Sequence, residues 1–393
     1  MASLSFLLGM VPVTEKVEAA EDQLYSDYLA FKEFENSDEL KHFLELEKEV
    51  KSGNFALRKK RIHKEKYKTS ETFRKEERYN RLIKKQKGDE KSSELLELED
   101  YINSDEFFRK KQYLTMRPSE RYETTEEYQK ETEYDTLKKS EKFEWFFRTK
   151  KKYPFRELEK WDITFQEDFS SNQLDRSRWM TRYFWGDKTM NSSYVLQDDQ
   201  SFITDGENIE FYDNKARIVT KPAHVEGLVW RAEQGFVVED FDYTSGLIST
   251  AKSFRQKYGI FKAKIRMSSG PISQAFWMVS ESMLPHVDVA RFEKGKLHCN
   301  CFWGKAGSVN KSISRTGGAR YADEYFIYTL EWWPGKLIWK INNKTFKVQT
   351  SGVPQEEMFI NFSCNLKKGT PQNGLPAAME IDWIKVYKLK GKA

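Results

Sequence analysis

The placement of glycine and tryptophan cuts this chain of 393 residues in two. Of 20 glycines only Gly9, Gly53 and Gly88 precede residue 160, and of 11 tryptophans only Trp145 does, while Lys, Glu and Arg crowd that same stretch. The front has long-helix composition and the back has sheet-and-turn composition. The expected organisation is a terminal tail over 1–20, a charged helical repeat region over 21–151, a linker over 152–160 and an antiparallel β-sandwich over 161–390. The fold class is therefore multidomain, α followed by β.

In the front half apolar residues recur at offsets of three and four, as in Leu40, Phe43, Leu44, Leu46 and Val50, which is helix period. Self-comparison finds a unit of roughly 50 residues occurring twice. ELEKEVKSGNF from Glu45 matches ELEDYINSDEF from Glu97, and YKTSETFRKEERYNRLIK from Tyr67 matches YETTEEYQKETEYDTLKK from Tyr122. A serine stands three residues before Leu40, Phe55, Phe107 and Phe143, at Ser37, Ser52, Ser104 and Ser140. Such a hydroxyl can accept a bond from an orphan N–H of the first helical turn, so a string of short helices of about 10 to 18 residues is expected. The charge runs read as solvated helix faces, with a spacer or protein-binding arm as the sharper reading. His42 and His63 stand alone, and no chemistry is suggested here. The pattern stops at Tyr153, Pro154 and Phe155, where proline favours extended geometry in its neighbour.

Charge and cysteine content exclude several classes. With 66 basic and 61 acidic groups the formal net charge is +5, near balance for this length, so neither nucleic acid nor a membrane surface is implied as partner. Cys299, Cys301 and Cys364 cannot make a disulfide framework. No apolar run reaches the roughly 18 residues of a membrane span. The opening 1–13 is apolar but lacks a basic n-region and contains Pro12, so it makes a poor secretory signal.

After Trp161 short β-branched and aromatic runs alternate with Gly, Asn, Asp and Pro, as in Phe261-Lys262-Ala263-Lys264-Ile265-Arg266, and Asn342-Asn343 marks a hairpin. Many short strands with close turns argue for an antiparallel sandwich. Three segments carry a specific resemblance: Ser245-Gly246-Leu247-Ile248-Ser249-Thr250, Tyr258-Gly259-Ile260-Phe261-Lys262-Ala263-Lys264-Ile265-Arg266, and Ser269-Gly270-Pro271 followed by Ala275-Phe276-Trp277-Met278. Together they resemble the central stretch of glycoside hydrolase family 16, the laminarinase-like endo-β-glucanases. Phe165-Gln166-Glu167-Asp168-Phe169, Tyr328-Thr329-Leu330-Glu331-Trp332 and Ile381-Asp382-Trp383-Ile384-Lys385-Val386-Tyr387 fall in the family's order. The resemblance implies a concanavalin-like jelly roll whose concave sheet forms a glycan cleft. It also suggests a secreted or periplasmic protein, although no signal peptide supports that.

A retaining glycosidase needs two carboxyl groups about 5 to 5.5 Å apart, a nucleophile and an acid/base. The family carries them on one strand as Glu-x-Asp-x-x-Glu. The aligned segment here is His286-Val287-Asp288-Val289-Ala290-Arg291-Phe292, so His286 stands at the nucleophile position and Arg291 at the acid/base position. A guanidinium, with a pKa above about 12, cannot donate a proton at neutral pH. No catalytic pair remains by the standard mechanism, and an ion-pair network of Asp288 with Arg291, His286 or both is expected. Two further departures concern substrate grip: Ser273-Gln274 precedes Ala275 where an aromatic is usual, and Leu247 replaces the arginine that commonly follows Ser-Gly.

Substrate-binding candidates are Trp277, Trp303, His286, Asp288 and Arg291, the two tryptophans being read first as buried core and second as a sugar-stacking platform. Moving the register by two residues gives a rescue in which Asp288 is nucleophile and Glu293 acid/base. A metal reading of His286, Asp288 and His298 is weaker, His224 reads as an ordinary histidine, and no cofactor is called for. The leading expectation is an inactive family 16-like domain that binds a glycan or a protein. The alternatives are a hydrolase or transglycosylase of a β-linked polysaccharide using Asp288 and Glu293, and a structural component of a larger assembly.

Overall fold

The computed structural model describes residues 11–88 and 91–391. Most of the apolar opening, and with it the weighed signal segment, lies outside the described residues. The chain divides into two units. One is Leu24–Phe155; the other runs from Arg156 to the C-terminal end and includes the segment that closes at Gln23.

The helical unit is built from short amphipathic helices that start where the serine pattern places them. Ser37, Ser52 and Ser104 accept bonds from the backbone N–H of Leu40, Phe55 and Phe107, and Ser70, Ser92 and Thr125 cap three more helices in the same way. Ser140 also stands at an N-cap, but its hydroxyl donates back to the Leu137 carbonyl instead. Three positions after Ser37, Ser52, Ser104 and Ser140 the first turn points a residue inward, and Leu40, Phe55, Phe107 and Phe143 all lie in the core, whereas Phe73 after Ser70 and Tyr128 after Thr125 are half-buried. One end is closed by stacked rings, with Phe31 on Phe146 and Phe34 edge-on to Phe143. At the other, the buried Arg121 donates to the carbonyls of Ile62 and Glu65 and so satisfies the C-terminal end of the helix Gly53–Lys64.

The tail expected over 1–20 is helical from Thr14, where the helix Thr14–Glu35 begins. Good helix formers occupy its first turns, and Val17 is buried. Within the sandwich unit this start is tied down. Glu21 accepts two 2.6 Å bonds from Lys262, and Glu18 accepts from Lys264 at 2.7 Å and from the Trp383 indole at 2.9 Å. The buried amide of Asn342 donates to the Pro12 carbonyl. At the expected linker Tyr153 takes a left-handed conformation that ends the helix Glu141–Lys152, and a short helical turn Arg156–Glu159 leads into the first strand, Trp161–Glu167.

The second unit is the expected antiparallel-rich β-sandwich, a jelly roll. The outer sheet runs, in order, Lys344–Gln349, Lys336–Ile341, Tyr325–Trp333, Gly259–Arg266, Ala377–Leu389, Lys215–Arg231, Gly235–Ser245 and Phe202–Ile203. The inner sheet runs Ser308–Gly317, Lys296–Lys305, His286–Glu293, Ser273–Val279, Phe359–Asn365 and Leu247–Ser249. Between them lies one large core, to which successive strands contribute alternate residues such as Val287, Phe292, Leu297, Cys299, Leu330 and Trp339. A second apolar cluster around Trp277, Val279, Val229 and Phe359 lies on the other face of the inner sheet, beneath the long hairpin of Lys215–Arg231 and Gly235–Ser245. It forms part of the floor of a cleft.

Candidate functional site

Strand period alone would place His286, Asp288 and Ala290 on one face of the strand His286–Glu293. The pairing slips instead between Asp288 and Arg291, so Val289 and Ala290 both enter the core and Arg291 returns to the face of His286 and Asp288. Glu293 follows on that same face two residues later. The carbonyls freed at the bulge are satisfied from the core side: the Trp339 indole donates to the Asp288 carbonyl at 2.9 Å, and the Cys299 thiol to that of Val289. Lys347, buried against the Trp339 ring, donates to the carbonyls of Cys299 and Ser312 and fixes the neighbouring strands behind the bulge.

On the cleft side this bulge assembles a closed ion-pair network. Asp288 is 1% exposed. Its Oδ1 is bonded to His286 Nε2 at 3.0 Å and accepts from Arg291 Nη2 at 3.0 Å; its Oδ2 accepts from Arg291 Nε at 3.2 Å and from the Asn300 amide at 2.8 Å. Four bonds fill the roughly four acceptor positions of a carboxylate. Burial alone would raise the Asp288 pKa, but the charges and hydrogen bonds of Arg291 and His286 outweigh it and hold the carboxyl far below the usual range. For Arg291 too, burial is outweighed by Asp288, so the guanidinium is held charged even more firmly than usual. Its Nη1 donates to Ser273 Oγ, which in turn donates to Glu293.

The candidate residues fall in different places. Trp277 lies on the cleft face but is only 6% exposed: its indole donates to Ser363 and its ring is covered by His286, stacked at 4.9 Å with 14° between the planes. Trp303 is on the opposite face. It shares strand parity with Cys299 and Cys301, packs against the core, and lies so close to Gly352 that a Cβ there would sit 2.1 Å from the ring. Phe302 takes the cleft side. His298 is opposite Arg291, in a shallow depression with Glu293 and Asn300, and burial lowers its pKa. A fixed cation between Asp288 and His298 disfavours a metal at that point. Leu247 is buried in the cluster under the cleft, and Gln274 bonds Ser268, so neither position offers a sugar contact.

The largest opening beside the network is a cavity of about 660 Å³ walled by Trp185, Tyr194, Trp230 and Phe236. Trp230 and Phe236, rings 5.0 Å apart, are brought to it by the tip of the long hairpin, and Trp230 is 41% exposed. Sequence reading missed this wall. The Trp230 to Phe236 spacing across Gly235 was its local signal, since a tight hairpin sets the two rings opposite each other. Also missed was a second buried carboxylate, Asp199, paired with Lys367 at 2.6 Å and bonded by Asn365. These residues are far apart in the chain, and nothing local announces them.

Comparison with known proteins agrees with the fold of the sandwich unit. The family model described as glycosyl hydrolases family 16 matches residues 196–385. The endo-1,3-1,4-beta-glycanase ExsH of Rhizobium meliloti is 24% identical over 246 residues, covering 58% of this chain and 51% of that protein. The glucan endo-1,3-beta-glucosidase A1 of Niallia circulans is 22% identical over 264 residues, covering 58% of this chain and 38% of its own length. The chain thus spans about half the length, or less, of these curated relatives. Among solved structures, one from a study of endo-acting O-glycanases of the human gut microbiota superposes with a TM-score of 0.50 at 13% identity, covering 59% of this chain and 92% of its own.

Proposed function

We infer, for a chain that carries a laminarinase-like domain of glycosyl hydrolase family 16, that the cleft binds a glycan and does not cleave it. The observation that carries this reading is the saturation of Asp288. The carboxylate that remains at the family's three positions has every acceptor position filled, and its neighbours at the two catalytic positions are an imidazole and a permanent cation. A nucleophile needs a free lone pair aimed at the sugar, which the saturated Asp288 lacks, and a general acid needs a proton it can release, which the Arg291 guanidinium at the acid/base position does not give up at neutral pH.

An open cavity walled by aromatic rings supports binding over a purely structural role, because sugars present apolar faces that such rings cover. The hydrolase alternative draws on Glu293, which lies on the cleft face. It would need Asp288 to exchange its bonds to Arg291 for the substrate, leaving a buried cation unpaired. A glycan-array screen of the full chain, run beside a reducing-end assay on β-glucans and galactans, tests the reading. Retention of a glycan without release of reducing ends is expected. Release of reducing ends from a retained glycan would return the domain to the hydrolases, and retention of no glycan would leave protein binding or the structural role.

A further inference from the structure

We propose that the aromatic cavity takes a sugar bearing a negative group, a carboxylate or a sulfate, so that the glycan bound here is an acidic one. This rests on the glycan-binding reading above and adds the class of ligand. The basic side chains lining the cavity are His286, Arg291 and Lys367, and among the described residues no carboxylate lines it. The acids that pair with those bases, Asp288 and Asp199, have side chains only 1% exposed. Two ion pairs are thus set with their positive ends toward the cavity and their negative ends behind it.

Both cations keep donors to spare. The five N–H groups of Arg291 serve Asp288 twice and Ser273 once, leaving one on each terminal nitrogen. The three of Lys367 serve Asp199 once, and its side chain is 30% exposed. Beside walls of Trp185, Trp230 and Phe236 these charges are weakly screened, so an anionic oxygen gains more there than a hydroxyl does. The adjoining depression is different: it holds Glu293 and His298. The acidic sugar therefore belongs on the aromatic side of Arg291, with a neutral neighbour on the Glu293 side.

The test is calorimetric titration of the full chain with five tetrasaccharides: tetragalacturonate, its methyl ester, a sulfated galactan tetrasaccharide, its desulfated form, and laminaritetraose. Within one of the two pairs the charged member is expected to bind at least about tenfold more tightly than its neutral counterpart, the gap narrowing with added salt. The pair that shows it distinguishes carboxylate from sulfate. Lys367→Met should remove most of the gap. Because that variant uncovers Asp199, the charged-to-neutral ratio in the unmodified protein is the deciding number. A ratio near one, or a preference for the neutral member, overturns the acidic-ligand proposal. Binding of laminaritetraose more tightly than any acidic probe overturns it while leaving the glycan reading intact. If none of these five oligosaccharides binds, both fall.

Discussion

Oppositely charged side chains do different work in the two units. In the helical unit Lys41 meets Asp38, and Lys110 meets Glu106, three or four residues apart along a helix with most of both side chains in water. Each such pair contributes little to stability, because water screens both charges. In the sandwich the pair of Asp288 with Arg291 is carried on a bulge, sealed from solvent on the acid's side, and completed by His286 and Asn300. Removing a carboxylate from water costs several kcal/mol before any partner is found. A pair of the first kind accompanies a solvated helix; a pair of the second kind persists only where its surroundings are built around it.

The largest effect that separates the two is the loss of one partner. Asp288→Ala should destabilise the chain by roughly 2 to 5 kcal/mol, chiefly by stranding the Arg291 cation, whereas Asp38→Ala should leave stability almost unchanged. Urea unfolding of the two variants makes the comparison. Equal and small effects would mean that Arg291 finds water as readily as Lys41 does.

Acid sharpens the same contrast. The folded pKa of Asp288 is depressed, so the stability it supplies is complete above the unfolded carboxyl value near 3.9 and is lost as pH falls below it. Melting temperature followed from pH 6 to pH 2 should drop less steeply in Asp288→Asn than in the unmodified chain. Parallel curves would show that other carboxylates govern the acid limb.

A smaller effect is expected where the helix start meets the sandwich. A fragment beginning at Arg156 should fold, since a sandwich of about 230 residues can bury its own core. It should be less stable by about 2 kcal/mol, because Asn342 and Lys262 lose the partners that Pro12 and Glu21 provide. Full stability in the fragment would show those contacts to be dispensable; insolubility would show the helix start to be essential. Smallest are the caps. Ser52→Ala and Ser104→Ala should each cost about 1 kcal/mol, measurable as loss of helical circular dichroism at lower temperature, while Ser140→Ala, whose hydroxyl caps nothing, should cost less.

These differences also explain what could be read without coordinates. The helix starts were legible because a cap and its first buried residue are three positions apart, and the sandwich because period-2 alternation and turn residues are local signals. The grouping of His286, Asp288 and Arg291 on one face followed from the family's strand motif and not from periodicity, which would have sent Arg291 into the core. The aromatic wall and the Asp199 to Lys367 pair were not legible, since both depend on loops and hairpins meeting across the sheet. Of the two readings open for Trp303, core or sugar platform, its strand parity selects the core.

The most direct test of a cleft that binds without cleaving is turnover by the full chain on laminarin and mixed-linkage β-glucan, read as released reducing ends over a day. No release above a protein-free control is expected, and His286→Glu combined with Arg291→Glu is expected to recover some, since it restores carboxylates at both family positions. Robust release by the unmodified chain, abolished by Glu293→Gln, would contradict this and assign catalysis to Asp288 and Glu293.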